Sequence, residues 1–137
     1  MTPAEYVIEV KAALIACSLV SQFEVVEEWV QPDRGYIRVR ARLCNGDFLE
    51  AAEYFVVSAA QCVPERYRYQ WMDGNQERVV KRWDNVGHYP DLPGFPYHIH
   101  LADGRIEAGK RLSILDLLDQ LANEIPLDAR DQKSEIC

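Results

Sequence analysis

Apolar residues at Tyr6, Val7, Val10, Ala13, Leu14 and Cys17 recur at intervals of one, three and four, the spacing of a helical stripe turned toward a core. Thr2-Pro3-Ala4-Glu5 stands at its start as a capping box. The Thr hydroxyl can accept from a first-turn amide, Pro suits the first helical position, and Glu5 can reach back to the cap. The pattern predicts a helix that runs to about Ala16 or Cys17. From Phe23 the period changes: Phe23 to Val30 is rich in β-branched and aromatic residues, and Pro32-Asp33-Arg34-Gly35 supplies the turn that ends this strand.

Tyr36 to Leu43 alternates cleanly, with Ile37, Val39, Ala41 and Leu43 on one face and Tyr36, Arg38, Arg40 and Arg42 on the other. Asn45-Gly46 is a favoured two-residue hairpin turn, so the strand from Asp47 to Val57 pairs antiparallel with it. A further hairpin is expected from Tyr67–Met72 and Arg78–Trp83 around Asp73-Gly74. The stretch from Asp84 to Pro96 is dense in Pro and Gly and reads as a loop, the kind of segment that carries sites. A short hairpin, Tyr97–Leu101 and Arg105–Ala108 around Asp103-Gly104, leads to a C-terminal helix from about Ser113 to Glu124. Ser113 caps that helix, and Ile114, Leu115, Leu117, Leu118 and Leu121 face inward.

The fold class that follows is α+β: an antiparallel meander of five or more strands with an N-terminal and a C-terminal helix. Helices cover one sheet face and leave the other free to bind. A chain of 137 residues suits one domain, over residues 1–125, followed by a polar tail at 126–137 that frays. A second subunit could share in covering the apolar sheet face, so a homodimer is left open.

Charge changes the picture only locally. The chain carries 22 acidic and 15 basic residues, a net of -7, which argues against general nucleic-acid affinity. Between Pro32 and Trp83, however, nine Lys or Arg meet seven Asp or Glu, so a neutral-to-basic centre lies between acidic ends. No apolar run approaches the roughly 20 residues that span a bilayer, and Met1-Thr2-Pro3-Ala4-Glu5 lacks the basic start of a signal peptide. Cys17, Cys44, Cys62 and Cys137 form no C-x-x-C pair and read as idle or packing thiols in a reducing cytoplasm.

The chemistry concentrates around three histidines. His88, His98 and His100 fall within thirteen positions, and His98-Ile99-His100 sets two imidazoles on one side of an extended segment, about 7 Å apart along the chain. That arrangement suits an acid/base pair or two metal ligands. Arg82-Trp83-Asp84-Asn85 brings a cation, a carboxylate and an amide to the mouth of the same loop, where they can orient an imidazole and bind phosphate. Arg38 and Arg40, beside the same-face row Tyr67, Tyr69 and Trp71, could bind phosphates and stack on bases. Each group has a plainer alternative: hydrogen-bonded loop histidines, an Arg–Asp pair closing a strand, a solvated arginine stripe, an aromatic row packed in the core. Glu53 falls among the same-face neighbours Leu49, Ala51 and Phe55, so it needs a buried partner, such as an arginine on the adjacent strand.

Taken in order, Gly35-Tyr36-Ile37-Arg38, Asn45-Gly46-Asp47-Phe48-Leu49-Glu50, Glu53-Tyr54, Tyr67-x-Tyr69-x-Trp71, Arg82-Trp83-Asp84-Asn85 and Phe95-Pro96-x-His98-x-His100 resemble the TumE-like family of prokaryotic toxin-antitoxin toxins. The resemblance spans about residues 5 to 122, and its last two pieces are the specific ones. It implies a cytoplasmic growth-inhibiting toxin, a cognate antitoxin as partner, and RNA cleavage as the activity. In the expected mechanism His98 and His100 act as base and acid, with His88 nearby. Arg82 and Arg38 stabilise the phosphorane, Asp84 orients an imidazole, and Arg40, Tyr67, Tyr69, Trp71 and Asn85 hold substrate. No cofactor is required by that scheme. Two alternatives stand beside it: a divalent metal held by His88, His98 and His100 with a carboxylate, or a non-catalytic module that binds RNA or a partner. Alanine at His98 is expected to abolish activity and leave the fold intact.

Overall fold

The computed structural model of the chain describes residues 1–85 and 95–126. Helix α1 (Pro3–Ala16) begins at the expected capping box, where Thr2 Oγ1 accepts from the Glu5 amide at 3.1 Å and Glu5 Oε1 accepts from the Thr2 amide at 3.3 Å. Seven strands follow: β1 (Val20–Gln31), β2 (Arg34–Leu43), β3 (Phe48–Ser58), β4 (Gln61–Met72), β5 (Val79–Asp84), β6 (His98–Leu101) and β7 (Ile106–Ala108). They pair antiparallel in chain order, the meander that the turn signals predict. Helix α2 (Ile114–Glu124) closes the described chain with its own capping box between Ser113 and Asp116. Among the described residues, no helix is long and apolar enough to cross a membrane. The tail at 127–137 lies outside them.

The alternation in β2 sets the two faces. Ile37, Val39, Ala41 and Leu43 are each 2% exposed or less, and their partners Leu49, Ala51 and Phe55 continue the same face on β3. Val10 and Leu14 of α1 and Leu117 and Leu121 of α2 close over that face as one apolar core. Each large side chain so buried contributes roughly 1.5–3 kcal/mol, which is why the helices dock here and leave the arginine-bearing face uncovered. Leu115, counted as inward-facing from the sequence, is only half-buried at the edge of this layer.

The start of β4 differs most from the sequence reading. β4 starts at Gln61, six residues before Tyr67, and contains Pro64. The proline is tolerated because the register slips between Tyr54 and Phe55, so its missing N–H falls at a bulge. The hairpin before it turns through Ala59 and Ala60, with φ of 50° and 64°, a left-handed pair without the Gly or Asn that would announce it.

Glu53 is the polar exception inside the core, fully buried. The expected arginine is not its partner. Tyr6 Oη donates to its carboxylate at 2.5 Å, Tyr69 Oη at 2.8 Å, and the Ile114 amide at 2.8 Å. Ile114 is the first residue of α2, so the carboxylate also sits at the positive end of a helix. Burial pushes the Glu53 carboxyl above the usual carboxylate range, and these three donors oppose it. One side chain thereby joins α1, β3, β4 and α2.

Candidate functional site

The β5–β6 register pairs Asp84 with His98 and Arg82 with His100. Residues opposite one another in an antiparallel pair share a face, so the alternation places all four side chains together, on the face away from the helices. Trp83 and Ile99, between them, turn to the core. The tight spacing of the sequence motif is thus doubled by the pairing of two strands.

Asp84 is the centre of the group. Its Oδ1 lies 2.5 Å from His98 Nε2, an oblique but close approach, and its Oδ2 lies 3.2 Å from Arg82 Nε and 3.3 Å from His100 Nε2. Asp84 and His98 are buried, with side chains 4% and 2% exposed; His100 is 19% exposed and Arg82 27%. The cluster therefore has a closed end and an open one.

His98 Nδ1 lies 2.9 Å from the Pro96 carbonyl oxygen, which can only accept, so that nitrogen carries a proton. The remaining nitrogen lies 2.5 Å from a carboxylate oxygen of Asp84, so the two groups are in direct contact. His98 is consequently occupied at both nitrogens and withdrawn from solvent. Its contacts suit a residue that holds Asp84.

His100 differs in environment. Arg82 Nη2 lies 3.1 Å from its Nε2 and 3.3 Å from its Nδ1. Burial first, then the positive Arg82, hold the His100 imidazole below its ordinary pKa, while Asp84 works the other way. A neutral, partly exposed imidazole beside a cation is a proton acceptor next to an anion site.

The other residues singled out in the sequence separate from this group in different ways. Arg38 and Arg40 lie on the same open face but on β2, where Glu50 of β3 holds both: Arg38 Nη2 at 2.9 Å and Arg40 Nε at 3.1 Å. Tyr67, Tyr69 and Trp71 lie on the covered face, at 4%, 0% and 9% exposure. Tyr69 is bonded to Glu53, and Trp71 Nε1 donates to Asp47 at 2.8 Å. The core-packing alternative is the correct one for this row, because it points away from Arg38 and cannot stack on anything bound there. Asn85 is likewise structural: its Oδ1 accepts from the Tyr67 amide at 3.0 Å and its Nδ2 donates to the Glu65 carbonyl at 2.8 Å. It prolongs the β4–β5 pairing with a side chain. His88 lies outside the described residues.

Sequence reasoning missed Arg68. It is the β4 partner of Asp84, exposed, on the open face, and it completes a cross-strand row Arg38–Ala52–Arg68–Asp84–His98. Its signal was present in Tyr67-Arg68-Tyr69, since a buried Tyr row puts the intervening Arg on the opposite face.

Residues 10–127 match the model of a protein family described as Toxin TumE, a span that contains the whole Arg82, Asp84, His98 and His100 group. No curated protein and no solved structure matches the chain.

Proposed function

The chain belongs to the TumE toxin family, and from that premise we propose that it is toxic by cleaving RNA in the cytoplasm, with a cognate antitoxin as its restraint. The observation that carries the proposal is the contrast within one cluster: a neutral, accessible His100 beside Arg82, backed by an Asp84–His98 pair withdrawn from solvent. Cleavage through the ribose 2′-hydroxyl needs a base for that hydroxyl, positive charge for the phosphorane, and a proton for the departing 5′-oxygen, which water at the open end of the cluster supplies as the 2′,3′-cyclic phosphate forms. His100 takes the first role and Arg82 the second, with Arg68 and Arg38 along the adjacent row of Asp84 as further phosphate contacts. Asp84 stabilises the imidazolium that His100 becomes, and His98 fixes Asp84. The net charge of -7 does not oppose this reading, because the arginines gather on the open face while α1 carries Glu5 and Glu9 over the other.

The test is induced expression of the wild type and of His100→Ala, scoring growth and total RNA integrity together. Arrest with RNA loss in the wild type alone is expected. Arrest with intact RNA, or an active His100→Ala, overturns the scheme.

A metal-assisted reading has one observation in its favour: Asp84, His98 and His100 bring three ligand atoms within 4.8 Å. Two ligands on one zinc-sized ion at about 2.0–2.1 Å stand about 2.9 Å apart at right angles, wider than the 2.5 Å between Asp84 and His98. The positive Arg82 against His100 further disfavours a second cation there. Undiminished cleavage in excess EDTA is the expected result; loss restored by a divalent ion would establish the metal reading.

A further inference from the structure

The uncovered sheet face carries aromatic residues that neither the core nor the histidine cluster uses. Trp29, Tyr36 and Tyr54 align across β1, β2 and β3, and Arg66 follows on β4, so one row crosses four strands. Trp29 is 39% exposed and lies nearly parallel to Tyr36, with centroids 6.2 Å apart and planes at 22°; Tyr54 also lies 6.2 Å from Trp29, tilted by 42°. The core pair Tyr67 and Tyr69 closes to 4.8 Å, so the open-face rings are set more loosely. Arg66 stacks over Tyr54 at 5.5 Å. Beneath these groups Ala52 leaves a depression of about 530 Å³, rimmed by Glu27 on one side and by Arg66 and Arg68 on the other.

Position gives this platform a purpose. Its row lies one two-residue step from the row that holds Arg38, Arg68, Asp84 and His98, a separation of roughly 7 Å along the strands, close to the spacing of extended nucleotides. Exposed aromatic faces interleaved with arginine on an open sheet suit unpaired bases, whose ring faces stack on them while the backbone follows the cations. Alternation explains why Tyr36 and Tyr54 are absent from the core, since each stands between buried neighbours, whereas Trp29 lies between the exposed Glu28 and Val30 at the sheet edge.

We propose that Trp29, Tyr36, Tyr54 and Arg66 form a base-stacking subsite that holds single-stranded RNA on the same open face as His100 and Arg82, two rows from theirs along the strands. The inference rests on the ribonuclease reading and adds the substrate class, an unpaired strand rather than a duplex, whose bases are already paired and stacked away. Arg66 and Arg68 contact the phosphates between the bases. Stacking of one base on Trp29 explains the tolerance of such a surface for sequence, since every base has a ring face.

The test uses a 2′-O-methyl hexanucleotide, which lacks the attacking hydroxyl, and an abasic hexamer with the same phosphates, each titrated against the full chain. Trp71 and Trp83 are buried, so a change in tryptophan emission reports Trp29. The base-bearing hexamer is expected to quench emission and to bind about ten-fold tighter than the abasic one. With affinity read by anisotropy of an end-labelled hexamer, since the Trp29 variants lack the reporting ring, Trp29→Ala and Tyr54→Ala should each lose about that factor, and Trp29→Phe should keep most of it, all with unchanged melting temperature. Equal binding of the two hexamers overturns the subsite, as does full affinity in Trp29→Ala. So does loss of antitoxin binding alone in these variants, which would make the platform a protein interface. Cleavage of RNA is scored separately: base-dependent binding without cleavage keeps the subsite and removes the ribonuclease reading, while cleavage with unaltered binding in the variants does the reverse.

Discussion

Asp84 on β5 and His98 on β6 approach to 2.5 Å, Oδ1 to Nε2, with the far nitrogen of the histidine tied to the Pro96 carbonyl. This pair is buried at the foot of an otherwise accessible cluster. A buried, mutually satisfied pair is weakly informative about stability while intact, and costly to break.

His98→Ala is therefore expected to lower stability as well as activity. Removing the ring leaves a buried carboxylate short of its partner, a loss of about 3 kcal/mol. Chemical denaturation of the variant measures it. His100→Ala, whose ring is partly exposed, should lose activity with a melting temperature within a few degrees of wild type. An unaltered midpoint in His98→Ala would mean that His98 is not the residue holding Asp84.

The pH dependence follows from His100. Its imidazole lies below the ordinary value of 6.5, so it stays neutral, and able to accept a proton, to lower pH than a free histidine. The acid limb of the cleavage rate should fall below 6.5. Stability has a matching sign: the unfolded chain takes up this proton first, so the contribution is complete above 6.5 and is lost as pH falls through the folded value. In Arg82→Gln the limb should move upward, because the second-largest cause that holds His100 down is removed. A pH–rate profile of a residual-activity substrate reads both.

Glu50 restrains two arginines that point along the proposed RNA face. Glu50→Gln should release Arg38 and Arg40 to phosphate, raising affinity for a single-stranded oligonucleotide several-fold at low salt. The slope of log K against log salt should steepen by about 1 to 1.5, near 0.7 for each phosphate newly neutralised on a single strand. Filter binding between low and moderate salt decides it; an unchanged slope would place these arginines away from the backbone.

Glu53 gives a prediction about the fold alone. Its carboxyl is raised by burial, so the folded chain retains a proton that the unfolded chain has released, and stability falls as pH rises from the ordinary value of 4.5 through the folded one. Glu53→Gln keeps acceptors for Ile114 and Tyr69 and should flatten that slope, with a cost within about 1 kcal/mol. Glu53→Ala strands the Tyr6 hydroxyl and the first amide of α2, while Tyr69 keeps the Leu112 carbonyl, for a loss of about 3 kcal/mol. Thermal melts from pH 4 to 8 separate the two variants.

Local chemistry along the chain was enough for most elements of this protein. Two capping boxes, Asn45-Gly46 and Asp103-Gly104, and the period-two run from Tyr36 to Leu43 determine helix starts, hairpins and the antiparallel order, because each acts over a few residues. The Ala59-Ala60 turn escaped, since its left-handed geometry is imposed by the strands it joins. The site was legible as a list, Arg82, Asp84, His98 and His100, but not as an assignment of roles. Alternation says that two residues share a face and leaves open which face the helices will cover. It placed Tyr67, Tyr69 and Trp71 together, and only packing against α1 and α2 sent them inward while leaving Trp29, Tyr36 and Tyr54 in solvent. Cross-strand register likewise made Glu53 the partner of two tyrosines and a helix terminus, and made His98 the inner and His100 the outer histidine. Those distinctions depend on burial and on distances between residues far apart in the chain, quantities that exist only once the sheet is assembled.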